Sequence, residues 1–367
     1  MESGIISASA ALQERLARLR ASDAFKNYEY ARERVLEMRA QIAASPEHKP
    51  SAYWEEELST FEYMLDASPL VIEKLRHHTH WITGIRAYEY RSQRKRAKVR
   101  LTEKVQALLA LGLPDLFVSE WRGLGGYGFE HDGKFFNIDT TKFYEVLIAL
   151  ERGAVLPEFR HNSDRRLVWE IGAGWGGFPY QFKTVCPNVT YVISDFPELF
   201  LYSATYLMTA FPGAKVAFWG EDSTERLLER WREYDFIFLS NTALEEMKPE
   251  RLDLTVNMVS FQEMTEAQAD AYVAKAHALN CPFVYSLNRD KSAYNPEITS
   301  VSDVISRYYW PREIAVLPVP YTKMMDELPS ANDYKHIIGW RRIQSPVPSP
   351  RSSVGEGASG KRGSTGR

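Results

Sequence analysis

Apolar residues change their period once along this chain. Up to about residue 155 they recur mainly at three- and four-residue spacings. From Leu167 onward, short apolar runs alternate with amphipathic stretches. The first regime predicts helices. One covers 9–44, with Leu12, Leu16 and Leu19 on a common face. A second is marked by Trp54, Leu58, Phe61 and Leu65, and a third covers 94–111 through Leu101, Val105 and Leu108. Pro46 and Pro50 break the first from the second. Between the regimes, Gly123, Gly125, Gly126 and Gly128 surround Tyr127 in a loop that reads either as a linker or as a lid over a ligand. His131, Asp132 and Gly133 then read as a turn, 134–138 as a short strand, and Thr141 opens a helix.

The second regime predicts strands at 167–171, 189–194, 235–240, 253–258 and 282–287, separated by helices, which is the pattern of a parallel sheet covered on both faces. Thr265 and Gln268 form a capping box for the helix that runs to Leu279. Two further strands, 314–319 and 334–341, close the sheet. The domain plan is therefore a mostly helical region over 1–155, able to cap the site or mediate homo-oligomerisation. An α/β domain follows over 156–343, and a Ser/Pro/Gly-rich tail over 344–367 is expected to be disordered.

Composition narrows this picture only modestly. With 367 residues, 44% hydrophobic and 13% aromatic, the chain can build substantial cores. A net charge of −3 offers no bulk electrostatic case for nucleic acid or an anionic membrane. The basic run RSQRKRAKVR reads as a solvated helix face. His77, His78 and His80 lack a metal-ligand pattern, so no metal is expected. Two cysteines, Cys186 and Cys281, and no apolar stretch of membrane-spanning length point to a soluble cytoplasmic protein.

The chemistry centres on LVWEIGAGWGGFPYQF, a strand, a glycine turn and a helix start over 167–182. Gly172, Gly174 and Gly177 fit a dinucleotide fingerprint, and Asp195 lies near the spacing expected for a ribose-binding acid. Against a pyrophosphate stands Glu170, an acid just before the glycines. The stretch EIGAGWGG resembles the first motif of class I S-adenosylmethionine (SAM) methyltransferases, in which this acid and the glycines surround the methionine end of the cofactor. The resemblance implies a Rossmann-like, seven-stranded methyltransferase sheet and SAM as cofactor.

In open α/β sheets ligands bind beyond the carboxyl ends of the strands. That rule, with the resemblance, makes Glu170, Gly172, Gly174, Gly176, Asp195, Phe196, Asn241 and Asn257 the candidate cofactor-binding residues, with Ser260 facing the acceptor. Asp195 would hold the ribose hydroxyls, Phe196 would pack on the adenine, and Asn241 would meet its amino group. Together with SDFPELF, the LGGYG to FFNIDTTKFYEVL stretch and SFQEM after the fourth strand, the chain is similar to the sugar O-methyltransferase family from about residue 77 to about 341. That implies a small-molecule sugar or glycoside as substrate. In related small-molecule O-methyltransferases a His-Asp pair follows the fourth strand. Gln262 and Glu263 stand at those places here, so a histidine base does not transfer. Glu263 becomes the first candidate for the base, with His131 and Asp290 behind it. The Asn288-Arg289-Asp290 turn is a further candidate for binding the acceptor. The rival readings are an NAD(P)-dependent oxidoreductase and a non-catalytic scaffold. The latter fits poorly with an intact set of Glu170, Gly172, Gly174, Asp195 and Glu263.

Overall fold

The structure is a computed structural model that describes residues 2–44, 58–91, 93–291 and 300–342. The tail predicted beyond 343, and Pro46, Pro50 and Trp54, lie outside the described residues. Ten strands are labelled in chain order. Phe129–His131 (β1) and Lys134–Phe136 (β2) form a hairpin; the other eight form one sheet. These are Arg166–Ile171 (β3), Val189–Asp195 (β4), Val216–Phe218 (β5), Phe236–Ser240 (β6), Leu254–Met258 (β7), Phe283–Asn288 (β8), Tyr309–Glu313 (β9) and Lys335–Arg341 (β10). Their spatial order is β5-β6-β4-β3-β7-β8-β10-β9, parallel from β5 to β8, with β10 antiparallel to both β8 and β9.

This is the expected Rossmann-like methyltransferase sheet with one strand added at its β5 edge. Two predicted boundaries need correction. β5 was not anticipated, because three residues between Pro212-Gly213 and Gly220 are too few to show a period. The penultimate strand lies at Tyr309–Glu313 and not at 314–319. It is an edge strand whose Trp310, Pro311, Arg312 and Glu313 are exposed, so it has no apolar alternation to read, and Pro311 is tolerated only because the edge needs fewer donors. Ile314, Val316 and Val319 are buried in the segment that follows, which mimics a strand pattern.

Successive residues of a strand point to opposite faces, and the two cores follow that rule. Val168, Tyr191, Ile193, Phe236, Phe238, Val256 and Tyr285 belong to one core. Leu167, Trp169, Ile171, Val192, Ile237, Leu239 and Val284 belong to the other. Parity therefore puts Glu170 and Asp195 on the face of the first core.

The longer helices are labelled separately: Glu2–Arg20 (α1), Asp23–Ala43 (α2), Lys95–Leu109 (α3), Ile138–Arg152 (α4), Gly177–Val185 (α5), Phe200–Ala210 (α6), Thr224–Glu229 (α7), Glu266–Ala278 (α8) and Val301–Ser306 (α9). The first core contains α2, α4, α5 and α6; the second contains α7, α8 and α9. The single helix expected over 9–44 is two, divided where Ser22 accepts a hydrogen bond from Phe25 N–H as the cap of α2. In α2, Phe25, Tyr28, Ala31, Val35 and Met38 form the buried stripe that lies along α6. Of the second expected helix, the described residues begin helical at Leu58 and Ser59 and pass through a turn into a 3-10 segment, Glu62–Asp66. α4 starts three residues earlier than expected, because Asn137 and Thr140 make a reciprocal capping box ahead of Thr141. The expected box at Thr265 and Gln268 is present, with both bonds formed. Among the described residues, no helix is long and apolar enough to cross a membrane.

Candidate active site

The chain runs outward from β3 through β4 and then returns to β7 on the other side of β3. This reversal opens a crevice beyond the carboxyl ends of β3, β4 and β7. A cavity of ≈ 640 Å³ occupies it. Its floor is the glycine turn. Gly172 takes φ 75°, and a Cβ there would stand 2.4 Å from Ser260 Oγ; Gly174 takes φ 58° and faces Ile82. Both positions need glycine for their backbone angle as well as for space.

Two carboxylates flank this turn. Glu170 is almost fully buried and accepts a 2.7 Å hydrogen bond from the hydroxyl of Tyr191, which stands two residues before its β4 partner Ile193. Burial pushes its carboxyl up to about 8; the Tyr191 hydrogen bond works against the shift, Asp195 adds to it and Lys142 opposes it. Asp195, at the end of β4, accepts 2.9 Å hydrogen bonds from the N–H groups of Gly174 and Phe196. Burial pushes it up to about 7 against those two bonds. Both acids are thus largely desolvated and partly protonated near neutral pH. An incoming cation or hydroxyl donor would favour their charged forms.

The opposite walls come from far along the chain. Met258 at the end of β7, and Val259 and Ser260 just after it, line the cavity. Val259 has φ 69°, a left-handed angle that a β-branched residue resists, at a cost on the order of 1–3 kcal/mol. Glu263 lines the cavity from the short 3-10 turn that follows. α4 contributes Asp139, Lys142 and Phe143. The helical region contributes Phe61, Trp81, Tyr90 and Arg100, and the segment before β10 contributes Tyr321 and Tyr334.

The walls are held by buried polar contacts. Arg76 is fully buried and bonds Glu120 at 2.8 Å, Asp139 at 3.3 Å and Thr79 at 2.6 Å. Its guanidinium also sits 3.5 Å from the ring centroid of Trp175, inside the glycine turn, which ties the helical region to the floor. Lys104 on α3 pairs with Glu145 at 3.2 Å and donates to the carbonyls of Pro320 and Lys323, fixing the wall that carries Tyr321.

Of the candidate residues, Glu170, Gly172, Gly174, Asp195, Ser260 and Glu263 line one cavity. The others do not. Gly176 makes room for α6, where a Cβ would come 3.1 Å from Ser203. Phe196 packs against the core. Asn241 follows β6, with its carbonyl accepting from Tyr272 at 3.4 Å. Asn257 is a correction to the expected cofactor role, because its amide is spent inside the fold. It donates to Ile171 O and Ser260 Oγ and accepts from Phe261 N–H and Asn288. His131 sits in the β1–β2 hairpin beside Asp132 at 3.4 Å, away from the cavity, which corrects its place as a candidate base. Asp290 is engaged by Lys335 and Ser302. Gln262 accepts from Arg289 N–H at 3.0 Å and donates to Tyr334 at 3.2 Å, so its amide is engaged within the fold. Asp139 and Lys142 were missed; nothing in local sequence marks them, since only the packing of α4 against the sheet brings them to the strand ends. Among the described residues, no group of three or more His, Cys, Asp or Glu side chains is arranged to hold a metal ion.

No family model and no curated protein matches the chain. Solved structures with some likeness include the CurJ carbon methyltransferase, at 11% identity over 56% of this chain and 55% of that one, TM-score 0.35. Magnesium protoporphyrin IX methyltransferase (ChlM) from Synechocystis PCC 6803 with bound SAH is similar at 10% identity over 58% of this chain and 90% of that one, TM-score 0.35. The N-methyltransferase NodS from Bradyrhizobium japonicum WM9 is similar at 12% identity over 53% of this chain and 96% of that one, TM-score 0.32. Likeness this distant carries nothing about activity, which has to be argued from the cavity itself.

Proposed function

We propose that the protein is a SAM-dependent O-methyltransferase that acts on a hydroxyl of a sugar or glycoside. The observation that carries the reading is the pair of buried carboxylates, Glu170 and Asp195, flanking a glycine turn at the ends of adjacent parallel strands. The residues fit the cofactor. Glu170 answers an ammonium, and Asp195 keeps acceptor capacity for two ribose hydroxyls beyond the two N–H groups it already binds. They do not fit a pyrophosphate: two acids would repel it, and the Gly174 N–H that a dinucleotide site would offer is donated to Asp195.

When bound, SAM would supply a sulfonium methyl group for transfer to the acceptor oxygen, with S-adenosylhomocysteine (SAH) as the leaving product. The protein must then position the acceptor hydroxyl and accept its proton. Glu263 is assigned as that base, because it lines the cavity on the β7 side, across the crevice from the Asp195 end of the floor. Trp81, Tyr90, Phe129, Tyr321 and Tyr334 provide aromatic surface in the same cavity. Aromatic faces are electron-rich and suit the C–H faces of a sugar ring, while leaving its hydroxyls to Glu263 and the polar rim. The cavity falls in the ~300–1,000 Å³ range of small-molecule sites, which favours a small acceptor over a polymer.

The test is methyl transfer from labelled SAM to a panel of free sugars, nucleotide sugars and glycosides, run beside Glu263→Gln. The account expects the variant to bind SAH as tightly as the parent and to lose ~10²–10⁴-fold in turnover. Unchanged turnover in the variant would remove Glu263 from the chemistry.

A further inference from the structure

Lys142 lies in the first turns of α4, with a side chain only 13% exposed, and it lines the cavity. Aromatic rings surround its ammonium, Phe143 at 4.7 Å and Tyr321 at 5.4 Å to the centroids. The acid nearest to it is Asp139, Oδ1 at 3.5 Å, and the other oxygen of Asp139 is bonded to Arg76. That contact is an ion pair without a hydrogen bond, and Asp139 Oδ1 has no hydrogen-bond donor. A lysine ammonium has three donors, and taking it out of water without hydrogen bonds is unfavourable. This one has been brought to a cavity wall with its donors unspent among the described residues.

Lys142 is also close enough to Glu170 for its charge to favour the ionised carboxylate there, yet no ion pair within 4 Å joins the two. The cavity thus holds a buried carboxyl group and a largely buried lysine side chain near each other, with no ion pair between them. A neutral sugar needs no such pair. A phosphate would be repelled by Glu170 and Asp195, and a simple amine would leave Lys142 without a counter-charge. A zwitterionic α-amino acid satisfies both, with its ammonium on one side and its carboxylate on the other.

We infer that Lys142 binds the carboxylate of the cofactor's amino-acid end, opposite Glu170 on its ammonium, so that a residue of the helical region completes the cofactor site. The inference rests on the SAM reading. It explains why α4, which precedes the sheet, carries a charged residue at a largely buried position.

The experiment is calorimetric titration of the full chain with two ligands: SAH, and the analogue that lacks only the carboxylate, 5′-(3-aminopropylthio)-5′-deoxyadenosine. The parent should bind SAH about tenfold or more tighter than the analogue, as expected for loss of a charge-assisted pair. Lys142→Met should weaken SAH to the level of the analogue and leave the analogue within about twofold, while Lys142→Arg should recover part of the SAH affinity. Thermal unfolding of each variant verifies that it is folded. Equal weakening of both ligands by Lys142→Met, or no weakening of either, would overturn the assignment. Binding of the analogue and not SAH by the parent would overturn it as well. Failure of the parent to bind either ligand would overturn the SAM reading itself, and the inference with it.

Discussion

Glu170 and Asp195 hold their protons into the neutral range because burial disfavours their charged forms, at about 8 and about 7 against ordinary values of 4.5 and 3.8. Through these two groups the folded chain binds more protons than the unfolded chain between about pH 4 and pH 8, so the stability they contribute falls as pH rises through that window. A bound ammonium reverses the preference at Glu170. SAH should therefore bind more tightly as pH rises from about 6 to about 8.5, with release of protons on binding. Titration in two buffers of different ionisation enthalpy measures that release. An affinity independent of pH, with no proton released, would contradict the placement of the ammonium on Glu170. Asp195→Ala should lower SAH affinity by about a hundredfold, since it removes the proposed ribose acceptor as well as the acceptor for the Gly174 N–H. Unchanged affinity would exclude Asp195 from the site. Val259 belongs to the same scale. Its left-handed backbone was not readable from the sequence, because nothing about a valine after a strand announces a positive φ.

At the scale of elements, the buried Arg76 holds the helical region, α4 and the glycine turn in one arrangement. Arg76→Met would leave Glu120 buried without its cation and take one of two cations from Asp139. The expected loss is about 3–5 kcal/mol in denaturant unfolding, with the midpoint moving to lower denaturant. By contrast, Thr265→Ala removes one half of a surface capping box on α8 and should cost about 1 kcal/mol with no change in SAH affinity. A loss below about 0.3 kcal/mol in the first case would show that the ion cluster is incidental. Strands β3, β4, β6, β7 and β8 were legible because each is a largely buried, mainly apolar run between turn signals. β5 is too short for that logic, and β9 is an exposed edge containing Pro311. The same division holds in the site. Glu170 and Asp195 were legible because strand ends in a parallel sheet converge. Lys142, Asp139 and Tyr321 were not, because they arrive from elements whose packing no local pattern encodes. Asn257 and His131 show the converse. A polar residue near a strand end can be spent on the fold, and one in a glycine-rich stretch can point elsewhere.

At the scale of the whole molecule, the two predicted regions share a single core that runs from Phe25 through Tyr206 to Ile338. The helical region also supplies part of the cavity wall through Phe61, Trp81 and Arg100. α2 covers α6, and Asn27 reaches Thr209 at 3.1 Å across that contact. The sheet and its site are therefore unfinished without the helices before them. The measurement that tests this account most directly is thermal unfolding of the full chain with SAM, SAH and NADH in parallel. A ligand at about 100 times its dissociation constant adds roughly 2.7 kcal/mol, a shift that is plain in such a scan. The account predicts stabilisation by SAM and SAH and none by NADH. Stabilisation by NADH alone would contradict it, since it would mean that the two acids beside the glycine turn tolerate a pyrophosphate.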